Sequence, residues 1–175
     1  FLHLAPIPKI AELLLKSKAT AIAYETVTDN KGRLPLLAPM SEVAGRLAVQ
    51  VGAQDLDKIN GGRGVLLGGV PGVSRAKVVI IGGGVVGANA IKIAVGMGAE
   101  VLVLDKNIEK LTELDNVYGW QINTKFATSQ TIEDSVIDAE LVIGAVLVAG
   151  AKAPKIITKD IVNKMKTKSV IVDVA

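Results

Sequence analysis

Hydrophobic residues in this chain fall into short, nearly unbroken blocks separated by stretches where they recur at every third or fourth position. The blocks near Val65–Leu67, Lys77–Ile81, Glu100–Leu104, Leu141–Val146 and Val170–Val174 predict strands, as does the more polar run Ile122–Phe126. The periodic stretches near Val85–Val95, Asn107–Tyr118, Ile132–Ala139 and Lys159–Lys166 predict helices. Strands that are apolar on both faces belong to parallel sheets covered on both sides. Their strict alternation with helices predicts an α/β fold of the Rossmann type: a doubly wound parallel sheet with right-handed crossovers.

The first forty residues have a different texture. Ile10, Leu13 and Leu14 lie at helical spacing within Pro8–Lys18, and Thr20–Tyr24 reads as a strand. Asp29-Asn-Lys-Gly32 is a turn cluster, with Pro35 and Pro39 bracketing an extended link. This is a piece of a second α/β unit. From Ser41, Val43, Leu47 and Val51 recur at every fourth position beside Ala44 and Ala48, with Ser41 as the expected N-cap and Gly61-Gly62 as the stop. The expected organisation is therefore residues 1–40 as a remnant of a second domain, 41–60 as a connecting helix and 61–175 as the Rossmann domain. The chain opens at Phe1 without methionine and closes on the strand-like run Ser169–Ala175, so it is expected to be a piece of a longer protein.

Composition narrows the chemistry. Half of the 175 residues are hydrophobic, aromatics make up 3%, and there is no cysteine. Thiol nucleophiles, redox dithiols and thiolate metal sites are thereby excluded, and no metal site is expected. A formal charge of +3 spread over 175 residues is a weak field. Lys152, Lys155, Lys159, Lys164, Lys166 and Lys168 follow the polar side of a short helix without interleaved aromatics, so no nucleic-acid partner is expected. No apolar run approaches the ~20 residues of a spanning helix, and no export signal opens the chain. The expectation is a cytoplasmic protein with no membrane partner.

The most informative stretch is Lys77–Gly87. Its apolar strand runs into Gly82, Gly84 and Gly87 at G-x-G-x-x-G spacing, and a helical pattern follows. In a dinucleotide-binding turn the first glycine makes the bend, the second lets the backbone approach a pyrophosphate, and the third lets helix pack on strand. Phosphate then meets free N–H groups and the positive end of the helix dipole. The next predicted strand ends at Asp105, 18 residues after Gly87, where a carboxylate would meet the adenosine ribose. That acid disfavours a 2′-phosphate and points to NAD rather than NADP, although Lys106 and Lys110 blunt the preference. The structural alternative is that Asp105 only caps the following helix.

His3 is the single histidine. In an apolar strand such a residue is more often structural than catalytic, yet a dehydrogenase needs a group titrating near neutral pH, and no other residue type here has an ordinary pKa in that range. Glu25 ends the second predicted strand of the same unit, where it could face the same cleft or be a surface acid.

Several segments together resemble alanine dehydrogenase: Phe1–Ala5, Ile22–Thr26, Pro35–Arg46, Leu67–Ser74, Gly144–Leu147, Gly150–Pro154 and Val170–Ala175. The resemblance runs over essentially the whole chain in the family's order. The NAD subunit of proton-translocating transhydrogenase is a relative with the same architecture, so a transhydrogenase subunit or a non-catalytic nucleotide-binding module is the alternative. The resemblance implies NAD-dependent, reversible oxidative deamination of L-alanine to pyruvate and ammonium. It implies that residues 1–40 are the tail of the substrate domain and that His3 is the catalytic histidine. Ser41, Val85, Val86, Asp105 and Lys110 match cofactor-contacting positions, as do Val146 and Leu147 near the nicotinamide. At Ala127 some members place a serine lining the adenine pocket. The resemblance also implies a homo-oligomer, typically a hexamer, with Ser41–Lys58 as a candidate subunit contact. The substrate-carboxylate arginine and lysine are expected upstream of Phe1 and the catalytic aspartate just beyond Ala175, so these 175 residues are expected to bind nucleotide without turnover.

Overall fold

The computed structural model describes Leu2, Leu4 and residues 7–147 and 155–174. Among these residues, five strands form one parallel sheet: β1 (Lys77–Ile81), β2 (Glu100–Asp105), β3 (Ile122–Phe126), β4 (Leu141–Gly144) and β5 (Val170–Asp173). Their spatial order is β3-β2-β1-β4-β5, the order of a Rossmann half-sheet and its continuation. Six α-helices among the described residues accompany them: α1 (Pro8–Ser17), α2 (Ala38–Asp55), α3 (Val85–Gly96), α4 (Ile108–Tyr118), α5 (Ser129–Ile137) and α6 (Lys159–Lys164).

The core follows from the two-residue period of the strands. Val78 and Ile80 of β1, with Val101 and Val103 of β2, pack toward α2, α3 and α4, together with Leu141 and Ile143 of β4. Val79 and Ile81, with Leu102, Leu104 and Val142, pack toward Ile132 and Val136 of α5 and Ile161 of α6. Burying each such side chain contributes about 2 kcal/mol relative to leaving it in water. This is why the charged residues of β1 and β2, Lys77, Glu100 and Asp105, stand only at strand ends.

Two predicted strands are absent. Thr20–Tyr24 runs into a 3-10 turn at Tyr24–Thr26, and Ile22 is 74% exposed. No strand among the described residues pairs with it, and a lone strand has no ladder to satisfy its backbone. Val65–Leu67 is a loop bent by Gly64 and Gly69, both at positive φ. The Leu67 side chain still reaches the core, and its carbonyl accepts from Ala76 N–H at 3.0 Å.

The expected connecting helix packs one face into the core. Helix α2 starts at Ala38 rather than at Ser41, so Ser41 is not its N-cap; its N–H donates to Leu37 O at 3.0 Å within the first turn. Pro39 lies at a first-turn position where its missing N–H costs nothing. Gly45, Ala48, Val49 and Gly52 are buried, facing α3 and β4: a Cβ on Gly52 would fall 2.5 Å from the Leu141 side chain. Lys164 and Lys166, read from sequence as a solvated face, pair with Glu133 at 2.6 Å and Glu140 at 2.5 Å.

Candidate functional site

A cleft of about 1280 Å³ opens at the carboxyl ends of the strands. It lies over β1 and β4, where the strand order reverses, the position at which open α/β sheets take ligands. Gly82, Gly84, Val85 and Val86 form its floor, Asp105, Lys106 and Ala127 one end, and Ala145, Val146 and Leu147 the other.

The three motif glycines are needed for three different reasons. Gly82 has φ +102°, a region open to glycine, and a Cβ there would meet the Ala145 carbonyl at 2.7 Å. A Cβ on Gly87 would fall 1.8 Å from Gly82 O, so helix α3 can start against β1 only with glycine at that position. Gly84 has nothing within 4 Å of its Cβ direction. It faces open space, beside the first turn of α3 whose N–H groups have no partner within the helix. The turn can therefore accept an anionic diphosphate on backbone donors, and the residues present fit that group.

Asp105 lies over this turn. Its Oδ2 accepts from Gly83 N–H at 2.6 Å and its Oδ1 from Asn107 N–H at 2.8 Å. The capping alternative does not describe it: Asn107 is the N-cap of α4, its side chain accepting from Lys110 N–H at 2.9 Å. A carboxylate has about four acceptor sites, so Asp105 retains capacity for ribose hydroxyls. Lys110 does not line the cleft. Its stem packs behind Gly83, a Cβ there lying 3.1 Å from Lys110 Cγ, and its ammonium pairs with Glu113. Lys106 is the cation on the cleft wall at that end. Beyond Asp105, Leu104, Ala127 and Ile132 form an apolar wall suited to a planar base, with Thr128 and Ser129 at its rim.

The opposite wall was not legible as such in the sequence. The turn cluster at Asp29–Arg33 and the link from Leu34 to Ser41 face the glycine floor across the cleft. Asp29 Oδ1 accepts from the N–H groups of Lys31 and Arg33, both at 2.9 Å, and its Oδ2 accepts from Arg33 Nε at 2.7 Å. The Arg33 main-chain N–H and then its guanidinium hold the Asp29 carboxyl below the usual carboxylate range. A polar turn before two prolines signals a turn; only tertiary placement makes it a wall.

His3 lies outside the described residues. Glu25 is not a surface acid: it is buried, and its Oε1 accepts from Leu2 N–H at 2.9 Å. It is not among the residues lining the cleft. Of the sequence-predicted positions, Ser41, Gly82, Gly84, Val85, Val86, Asp105, Val146 and Leu147 line one cleft, while Gly87 packs directly behind it. Among the described residues, no helix is long and apolar enough to cross a membrane.

Strand order, switch-point cleft and glycine turn together define a Rossmann-type α/β fold. Comparison with known proteins narrows the class. The family model "Alanine dehydrogenase/PNT, C-terminal domain" matches residues 48–175 and its N-terminal counterpart matches residues 1–44. The chain belongs to the alanine dehydrogenase/PNT family. It is 57% identical over 175 residues to alanine dehydrogenase of Bacillus subtilis, covering all of this chain and 46% of that protein. It is 55% identical to the alanine dehydrogenase of Methanococcus maripaludis, covering 100% and 47%. A solved L-alanine dehydrogenase superposes with a TM-score of 0.89 at 52% identity, over 99% of this chain and 48% of that one. A transhydrogenase from Sinorhizobium meliloti, at 20% identity, shares the fold, with a TM-score of 0.76 over 96% and 50% of the two chains. The chain thus spans about half the length of the curated relatives it matches.

Proposed function

We propose that this chain carries the NAD-binding part of an NAD-dependent alanine dehydrogenase, interconverting L-alanine, NAD and water with pyruvate, ammonium, NADH and a proton. The observation that carries the reading is Asp105 seated 2.6 Å from Gly83 N–H above an open glycine turn. Identity above 50% to alanine dehydrogenases over the whole chain supports the reaction.

NAD, when bound, supplies the hydride acceptor. The chain's own residues bind, orient and move protons. The N–H groups of Val85, Val86 and Gly87 hold the diphosphate at the positive end of α3. Asp105 accepts from the ribose hydroxyls, and its charge disfavours a 2′-phosphate. The Lys110 stem supports the turn at the adenosine end, and Ser41 offers a hydroxyl from the facing wall. Main-chain groups at Val146 and Leu147 serve the nicotinamide end. His3 takes the proton of the water that adds to the oxidised substrate and returns it to the leaving group, a task suited to a group titrating near neutral pH.

In this reading residues 1–40 belong to the substrate domain, 41–60 connect and 61–175 bind nucleotide. The boundary between the two family models, at residues 44 and 48, supports that division. The protein acts in the cytoplasm as a homo-oligomer, a hexamer by its resemblance. In the enzyme, His3→Ala is expected to abolish alanine-dependent NADH formation while leaving NADH binding intact. A variant that oxidises alanine at the wild-type rate overturns the role of His3.

A further inference from the structure

We infer that Asn89 and Arg46, neither of which lines the cleft, are positioning residues that aim the diphosphate-binding N–H groups of α3 from behind. The inference rests on the dinucleotide reading of the glycine turn.

Asn89 Nδ2 donates to Val85 O at 2.9 Å, and Asn89 Oδ1 accepts from Arg46 Nε at 3.0 Å. The Val85 carbonyl and the Val86 N–H belong to one planar peptide unit, so fixing the first fixes the direction of the second. That N–H is one of the donors left without a partner in the first turn of the helix, where the cleft lies. The charge on Arg46 polarises the Asn89 amide and strengthens its hold on the carbonyl.

The next peptide is held by α2 itself. A Cβ on Gly45 would stand 2.1 Å from Val86 O, so the backbone of α2 rests directly against the carbonyl whose peptide carries Gly87 N–H. One turn earlier on α2, Ser41 lines the cleft. Helix α2 therefore supports the turn through Gly45 and Arg46 and presents Ser41 to the same space. An asparagine–arginine pair at a helix–helix surface would otherwise be worth little; here it sits on the carbonyl whose peptide carries the Val86 N–H.

The test compares a ligand that contains the diphosphate with one that lacks it. ADP-ribose and adenosine are titrated into the 175-residue chain and its variants. Asn89→Ala is expected to weaken ADP-ribose about fivefold and leave adenosine unchanged, since one hydrogen bond's worth of orientation is lost. A merely structural role would weaken both ligands together and leave their ratio unmoved, which overturns the inference. So does unchanged ADP-ribose affinity. Alanine is the better helix former, so helix propensity does not oppose the substitution. As a second measurement, Arg46→Ala is expected to weaken ADP-ribose two- to threefold, and the double variant to be no worse than Asn89→Ala alone. Additive losses contradict the relay. If the wild-type chain binds neither ligand, the dinucleotide reading itself falls and takes this inference with it; wild-type binding with an indifferent Asn89→Ala removes the inference alone.

Discussion

Residues 77–147 and residues 7–37 are both rich in aliphatic side chains, yet they use them in opposite ways. In β1 four of the five residues are buried, whereas α1 buries none and leaves Leu15 80% exposed. The sheet region is held by neighbours on every side. The N-terminal segment relies largely on local bonds, such as an i,i+4 pair from Lys16 to Glu12 and the Asp29 turn, beside the longer-range bond from Leu2 N–H to Glu25. The lesson is that a helix or turn closes its hydrogen bonds within itself, while a strand is only as real as its partner.

Substitutions can break or sharpen that contrast. The largest effect is expected at Gly87→Ala, whose Cβ would overlap Gly82 O at 1.8 Å. Backbone against backbone cannot yield cheaply, so a loss of about 3 kcal/mol or more is expected in thermal or denaturant unfolding. An unfolding midpoint equal to wild type would show that α3 is not seated on β1 as described. In the other region, Leu15→Ser or Ile22→Ser is expected to change stability by no more than about 0.5 kcal/mol; a large loss would mean these side chains are covered.

Gly84→Ala separates binding from folding. Its Cβ meets nothing within 4 Å and its φ of −65° suits any residue, so unfolding is expected to stay near wild type. The methyl group enters the space assigned to the diphosphate, and NADH affinity is expected to fall about tenfold. Unaltered affinity contradicts the assignment.

The smallest effect concerns the wall turn. Arg33 holds the Asp29 carboxyl below its ordinary value, chiefly through its main-chain N–H. A carboxylate with a lowered folded-state pKa contributes stability above its unfolded value and loses it as pH falls through the lowered one. NMR titration of Asp29 is expected to give a midpoint below the ordinary carboxylate value, moving only part of the way back in Arg33→Ala, which removes the guanidinium and keeps the main-chain N–H. A midpoint at or above the ordinary value means the turn is not held as described.

The same contrast explains what could be read from the sequence. β1 and β3 are found with the bounds read from the sequence, and the glycine turn is legible because its spacing is local. β4 stops at Gly144, two residues before its apolar run ends: Ala145 N–H still donates to Ile81 O at 2.8 Å, and Ala145 and Val146 then line the cleft. The start of α2 was misplaced because Pro39 reads as extended link, although proline is at home in a first helical turn. Nothing local could tell that Gly45 lies against Val86 O, or that the Asp29 turn faces the glycine floor. Those facts belong to the packing of α2 on α3, and sequence spacing carries no record of it.

The most direct test of the central claim is calorimetric titration of the 175-residue chain with NADH and NADPH, repeated on Asp105→Ala. A carboxylate held at the glycine turn predicts that NADH binds at least about tenfold more tightly than NADPH, and that this preference disappears in the variant. Equal affinities in the wild-type chain, or a preference that survives loss of the Asp105 side chain, would contradict it.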